Sequence, residues 1–270
     1  PRAAVAEWND GNLTAWTGND YPQRIQEDLA RVFNISNDKV RVIVPDMGGG
    51  FGGKHTGQAP EEAARLAKAA GKPVSVRWSR ADEFTWAYFR PAAVIDCKAG
   101  LDENGSILAW EFTNINSGNS ALNSPYRIPN PNEQYISSNS PLSQGAYRCL
   151  AATANNFARE CFMDELAAAA GIDPLDFRLK HLENQRIRAV LETATKQFGW
   201  ETKRKQNTPD TGFGLACGTE KGSVVAACVE VNVDIKLSKI VVKKVCEAFE
   251  CGPIQNPGNL LAQVKGCIIM

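Results

Sequence analysis

Residues 44–57 read VPDMGGGFGGKHTG, with five glycines clustered around Phe51 and followed by Lys54 and His55. Gly48, Gly50 and Gly53 satisfy the glycine spacing of a dinucleotide-binding turn, and Gly48, Gly53 and Lys54 satisfy most of a P-loop. Both patterns cradle phosphate on backbone N–H groups. Neither is completed. A dinucleotide turn opens directly into a helix, whereas Thr56, Gly57 and Gln58 separate these glycines from Pro60, where the next helical pattern starts. No acidic residue closes a strand at the usual distance, where the chain reads KAAGKPVSV. A P-loop lysine is followed by Ser or Thr to hold magnesium, and His55 stands there instead. What remains is a loop rich in peptide donors, whose glycine density points to close approach by a ligand. A glycine turn with no ligand is the alternative.

Other groups able to do chemistry are dispersed. His55 and His181 are the only histidines, and the eight cysteines, at 97, 149, 161, 217, 228, 246, 251 and 267, include no Cys-x-x-Cys pair. That distribution does not suit a zinc site, so any metal would arrive inside a cofactor. Thiols in mostly apolar segments of a chain this long are expected to be reduced and mostly buried, not a disulfide framework. Lysine plus arginine balance aspartate plus glutamate at 30 each, which removes the electrostatic footprint of a nucleic-acid binder. The apolar fraction of 43% supports a sizeable core, and no run approaches the length of a membrane span.

The apolar pattern outlines the elements that must hold these groups. Asp20 and Pro22 look like the cap and first turn of a helix carrying Ile25, Leu29, Val32 and Phe33. The β-branched run 40–44 leads straight into the glycine loop, and a second helix from Pro60 ends at Gly71. Strand patterns follow in PVSVRW, AAVIDCKAGL and SILAWEFTNI, the last two joined by a DENG turn. Residues 114–146, rich in Asn, Ser and Pro, read as a long irregular excursion. A helix over 152–170 places Ala158, Phe162, Leu166 and Ala169 on one stripe and Glu160 and Asp164 on another. Asp173 and Pro174 restart a helix through Leu182, and Ile187, Val190, Leu191, Ala194 and Phe198 form the clearest amphipathic face. Residues 201–210 read as a polar linker, followed by a β-rich part with a hairpin around 235–238. The fold class is α+β rather than a doubly wound sheet, with a first domain over 1–200 and a second over 211–270.

In these surroundings MGGGFGGK (47–54) resembles the cofactor loop of the molybdenum hydroxylases, the xanthine dehydrogenase and aldehyde oxidase family. The segments 126-YRIPN-130, 144-QGAYRCLAATANNFARECFMDELA-167, 173-DPLDFRLKHL-182 and 246-CEAFECGPIQNP-257 resemble family landmarks in family order. The segment 262-AQVKGCIIM-270 resembles the one in which a glutamine contacts the pterin, and the variant is most similar to isoquinoline oxidoreductase-like large subunits. The resemblance implies a molybdopterin-binding fold and a molybdopterin cofactor, as its cytosine dinucleotide in a bacterial protein, whose own sulfurs hold the metal. Gly49, Gly50, Phe51, Gly52 and Gly53 would then hold the cofactor, with Phe51 and Gly52 against the metal centre. For Phe51 a core plug beneath the loop is the alternative. Arg148 would stabilise charge developing on oxygen near the metal, the alternative being an ordinary salt-bridged arginine. Gln263 would contact the cofactor, the alternative being a solvated glutamine on a helix face.

Two departures bear on substrate. His55 stands where purine-oxidising members carry a glutamate, and Leu150 where they carry a phenylalanine. Both disfavour a purine and favour an aldehyde or a less polar N-heterocycle. The implied reaction is hydroxylation with oxygen from water, with electrons leaving through iron–sulfur clusters, and FAD or haem in some relatives, on partner subunits. The implied partners are an iron–sulfur small subunit and a small-molecule substrate, in the cytoplasm, or the periplasm if an export signal precedes the sequence. The general-base glutamate is expected beyond Met270, and TGND (17–20) stands where many members carry a glutamine. Both ends look cut, so the chain as given is expected to be catalytically incomplete. Two other readings stand beside this one: a non-catalytic pterin- or nucleotide-binding module, and an assembly protein with a vacant loop.

Overall fold

Alternation of small apolar and polar residues makes Ala3–Asn9 (β1) and Asn12–Thr17 (β2) a hairpin, whose Asp10 and Gly11 both take positive φ. The computed structural model describes residues 1–206 and 208–269. They group into two compact units, Pro1–Pro91 with Asn139–Leu150, and Ala92–Ser138 with the described residues from Ala151 onward.

In the first unit, Val40–Ile43 (β3) runs parallel to β2 and Val74–Arg77 (β4) antiparallel to β1, giving the order β3-β2-β1-β4. Pro22–Phe33 (α1) and Gln58–Ala70 (α2) share a core with this sheet, built from Ala4, Ala6, Leu13, Ile25, Leu29 and Ala63. Alanines at the contact let helix and sheet approach closely, and Trp8 spans them, its indole N–H donating to the Ala64 carbonyl at 2.9 Å. Arg80–Trp86 (α3) follows β4, entered through a capping box between Ser79 and Asp82.

The second unit holds two three-stranded sheets. Val94–Leu101 (β5), Ile107–Ile115 (β6) and Pro131–Ile136 (β7) form one, and Thr211–Glu220 (β8), Ser223–Asp234 (β9) and Lys239–Glu250 (β10) the other. Its helices are Ala152–Ala170 (α4), Pro174–His181 (α5), Gln185–Phe198 (α6), Trp200–Lys205 (α7) and Pro257–Ile269 (α8). Trp110, Phe112, Met163, Phe177, Leu191 and Phe198 anchor a core shared by sheets and helices. No helix among the described residues is long and apolar enough to cross a membrane.

A buried polar network runs through this core. The Glu160 carboxylate accepts from Arg178 Nε at 2.9 Å, the Cys217 N–H at 3.1 Å and the Tyr126 hydroxyl at 3.0 Å. Burial, and then the carboxylate of Glu160, push the Tyr126 hydroxyl well above its ordinary pKa, so it stays a donor. His181 bridges α5 and β6: its Nδ1–H donates to the Phe177 carbonyl at 2.8 Å, and Nε2 accepts the Ile107 N–H at 3.1 Å. Only the neutral ring can do both, and burial accordingly lowers the His181 pKa.

The mixed α and β content agrees with the expected class, and α4 and α6 run over the expected residues. Several local expectations change. The sequence reading places no strand before residue 40, although Asp-Gly between two alternating stretches is a hairpin signal. Asp20 is not the helix cap; Tyr21 occupies that position without a side-chain cap bond, and Pro22 begins α1. The excursion 114–146 contains β7, whose polar residues are tolerated because it is an edge strand with little buried surface. The buried stripe of α4 runs through Asn155, Arg159, Met163 and Leu166, with Glu160 buried as well, because hydrogen bonds hold Asn155 and ion pairs hold Arg159 and Glu160. Residues expected to begin a linker form α7, anchored by buried Trp200, whose indole N–H donates to Asp173 at 2.9 Å. The thiols are not mostly buried: Cys217 and Cys228 are, whereas Cys149, Cys161 and Cys267 are exposed, because turn and outer-helix positions face solvent regardless of the apolar residues beside them. Asn207, within the expected linker, and Met270 lie outside the described residues.

Candidate functional site

β3 delivers the chain to the glycine loop, and four residues shape its tip. Gly50, Phe51, Gly52 and Gly53 form a turn closed by the Gly53 N–H donating to the Gly50 carbonyl at 2.9 Å. Its central residues have φ of +53° at Phe51 and +84° at Gly52. Glycine adopts this conformation freely, but a phenylalanine there is strained and persists only where its surroundings enforce it. Phe51 is 65% exposed, which rules out a core plug. Among the described residues, the N–H groups of Gly50, Phe51 and Gly52 donate to no protein acceptor.

The glycines meet different neighbours, and of Gly49, Gly50 and Gly52 only Gly52 meets backbone atoms, which cannot rotate away. A Cβ on Gly52 would lie 2.7 Å from the Ala146 carbonyl oxygen and from Tyr147 Cα. A Cβ on Gly50 would lie 2.6 Å from an Asp20 carboxylate oxygen, and one on Gly49 would lie 2.9 Å from the Phe51 ring. The close approach that the sequence suggested for a ligand is therefore first an approach of the protein to itself. The tip approaches Asp20 at Gly50 and the backbone of 146–147 at Gly52.

The second segment of the site is 144–150, an irregular stretch that ends in a turn. The Leu150 N–H donates to the Tyr147 carbonyl at 2.8 Å, and Cys149 and Leu150 take φ of +68° and +51°. Arg90 braces this turn: its guanidinium donates to the Arg148 carbonyl at 2.6 Å and the Leu150 carbonyl at 3.1 Å, and stacks 5.1 Å from the Tyr147 ring centre. The Arg148 guanidinium carbon stands 5.9 Å from the Phe51 ring centre, so two of the residues singled out from sequence meet here. Leu150 is partly exposed beside them.

His55 follows the tip. Its Nε2 lies 3.2 Å from an Asp20 carboxylate oxygen, and its ring meets Tyr21 edge to face at 4.9 Å. The Asp20 N–H donates to the Lys54 carbonyl at 3.0 Å, tying 18–21 to the loop. Asp20 thus has a role that sequence reasoning missed, with only its place in TGND as a signal. Tyr88 and Arg90 were missed as well, because the 88–91 segment YFRP matches no helix or strand pattern. The Tyr88 hydroxyl donates to the Gly52 carbonyl. Burial raises the Tyr88 pKa, keeping the hydroxyl protonated as that donor.

A cavity of about 550 Å³ opens against Gly49, Gly50, Phe51 and Gly53. Arg2, Lys54, Arg80 and Arg90 line it, and the one carboxylate there, Glu83, is paired with Arg2. The balance is positive, which suits an anionic ligand. α2 begins at Gln58, two residues before the expected Pro60, and residues 54–57 still separate it from the turn, so no helix N-terminus completes a phosphate site at the glycines. Gln263 lies on α8 in the second unit. Among the described residues, no cluster of three or more His, Cys, Asp or Glu side chains could hold a metal ion directly.

Residues 1–182 match the family model of the molybdopterin cofactor-binding domain. The chain is 28% identical over an alignment of 296 positions to the beta subunit of isoquinoline 1-oxidoreductase of Brevundimonas diminuta, covering all of this chain and 37% of that one. It is 30% identical over an alignment of 250 positions to the aldehyde oxidoreductase molybdenum-binding subunit PaoC of Escherichia coli O157:H7, covering 81% of this chain and 34% of that one. In fold it is similar to the crystal structure of quinoline 2-oxidoreductase from Pseudomonas putida 86, with a TM-score of 0.71 at 21% identity over 89% of this chain and 38% of that one. The chain therefore spans between about a third and two fifths of the length of these relatives.

Proposed function

The chain belongs to the molybdopterin cofactor-binding domain family, and from that premise we propose that it is part of the catalytic subunit of an oxidoreductase that hydroxylates aldehydes or N-heterocycles with oxygen from water. The observation that carries this reading is the Gly50–Gly53 turn, strained at Phe51, with peptide donors that are unpaired among the described residues, a cationic cavity beside it and Arg148 over the Phe51 ring. The residues fit the group. A molybdopterin brings oxygen and phosphate acceptors and its own metal ligands, so it asks the protein for donors and positive charge, not for a His/Cys ligand set.

In this reading Gly49, Gly50, Phe51, Gly52 and Gly53 hold the cofactor through their backbone, and Gln263 contacts it through its amide. When bound, the molybdenum cofactor supplies the two-electron redox centre. Arg148, braced from behind by Arg90 through two carbonyl bonds, presents a fixed cation for negative charge that develops during reaction. Leu150 and His55, which do not line the cavity itself, are the proposed substrate residues; with the polar edge of His55 directed at Asp20, they favour an aldehyde or a less polar heterocycle. No residue of this chain is assigned the role of general base. Finer parts of the proposal are a cytosine dinucleotide cofactor, an iron–sulfur partner subunit with FAD or haem in the electron chain, a cytoplasmic location, and two molybdopterin-binding domains over 1–200 and 211–270.

Metal and pterin analysis of the natural full-length protein, purified with its partner subunits, tests the reading. One molybdenum and one pterin per chain is the expected result. Stoichiometric nucleotide without molybdenum would overturn it in favour of a non-catalytic module.

A further inference from the structure

We propose that Tyr88 is a positioning residue for the glycine turn: its hydroxyl pins the Gly52 carbonyl, and so fixes the peptide donors presented to the cofactor. The inference rests on the reading of this turn as the molybdopterin loop. Tyr88 follows α3 and is 4% exposed. Its ring lies where a Cβ on Gly145 would approach ring atoms at 2.3 Å, so only glycine at 145 admits it. The Arg2 guanidinium, itself paired with Glu83, stands 5.0 Å from the ring centre. The ring is therefore held on more than one side before its hydroxyl reaches Gly52.

The consequence lies in one peptide plane. The unit joining Gly52 to Gly53 is held at both ends, its carbonyl by Tyr88 and its N–H by the Gly50 carbonyl at 2.9 Å. Fixing that plane leaves the turn little freedom to relax from φ +53° at Phe51 and +84° at Gly52. A strained residue persists only where the surroundings over-determine it, and removing one of two anchors lets the tip relax. Donors fixed before a ligand arrives bind it more tightly than donors that must be ordered on arrival.

Tyr88→Phe keeps the ring and its packing and removes only the hydroxyl. Hydrogen exchange on the cofactor-free protein should show the Gly53 N–H exchanging on the order of tenfold faster, with the amides of β1 unchanged. In the natural full-length enzyme with its partner, pterin should be lost on the order of tenfold faster. Turnover per bound pterin should fall at unchanged KM, because the strut touches the turn and not the substrate. Tyr135→Phe, at an exposed tyrosine of the second unit, should change none of these. Unchanged exchange at Gly53, or exchange raised equally in β1, would overturn the strut. Faster exchange with unchanged pterin retention would overturn its service to the cofactor. Wild-type enzyme lacking pterin would overturn the proposed function, an outcome kept distinct because the exchange experiment needs no cofactor.

Discussion

Alanine substitutions along the glycine loop separate backbone strain from close packing. At Gly48, φ is +70° and an added Cβ meets no atom within 4 Å. Gly48→Ala therefore pays only the left-handed strain of an L-residue, about 1–2 kcal/mol. At Gly52, φ is +84° and the Cβ meets backbone atoms of Ala146 and Tyr147 at 2.7 Å. Those atoms cannot rotate away, so 144–150 must shift, adding about 1–3 kcal/mol of overpacking to the same strain. At Gly53 φ is not positive and the nearest atom, the Gly50 carbonyl oxygen, is 3.4 Å away, so Gly53→Ala should stay within about 1 kcal/mol. Thermal unfolding followed by circular dichroism should rank the losses as Gly53, Gly48, then Gly52, at about 2–4 °C per kcal/mol for a chain of this size. Pterin retention in the full-length enzyme should fail first for Gly52→Ala. Equal losses at Gly48 and Gly52 would refute the packing of the turn against 146–147, and with it the geometry that directs its donors.

Arg148→Met should slow turnover of the full-length enzyme by more than about tenfold while moving the thermal midpoint by little; equal turnover would reduce Arg148 to a packing partner of Phe51. Arg178→Met strands the buried Glu160 carboxylate without its closest cation and should cost about 3–5 kcal/mol in urea unfolding. Adding Glu160→Gln should recover part of that loss, and no recovery would count against the pairing. Because burial depresses the folded pKa of His181, its contribution to stability is full above the unfolded value of about 6.5 and is lost as pH falls through the folded value. The urea midpoint should drop between about pH 7 and pH 5, and more steeply than in His181→Gln; parallel profiles would show that His181 does not carry the effect.

The turn at the loop was legible because its demands are local. Glycines around a single aromatic, with neither the magnesium hydroxyl nor the adjacent helix, leave both phosphate motifs incomplete in the order of residues alone, and α2 does begin beyond the turn. The amphipathic face of α6 was legible for a similar reason: Ile187, Val190, Leu191, Ala194 and Phe198 repeat at helical spacing, and all are buried. The stripe of α4 was misjudged, because the core accepts Asn155, Arg159 and Glu160 only by pairing them with partners such as Asn114, Arg178 and Tyr126 from distant segments. Periodicity cannot report a partner.

By itself, then, the sequence determined the element types over most of the chain and the family to which it belongs, and it singled out the glycine loop as the candidate site proposed above. Only the tertiary structure decided what each glycine is for, that Asp20 leaves the helix cap to pair with His55, and that Tyr88 and Arg90 brace the two turns carrying Phe51 and Arg148. Helix and strand patterns follow from side chains a few residues apart. The site depends on peptide planes held by side chains from segments 36 and 58 residues away, a separation across which local propensity carries no signal.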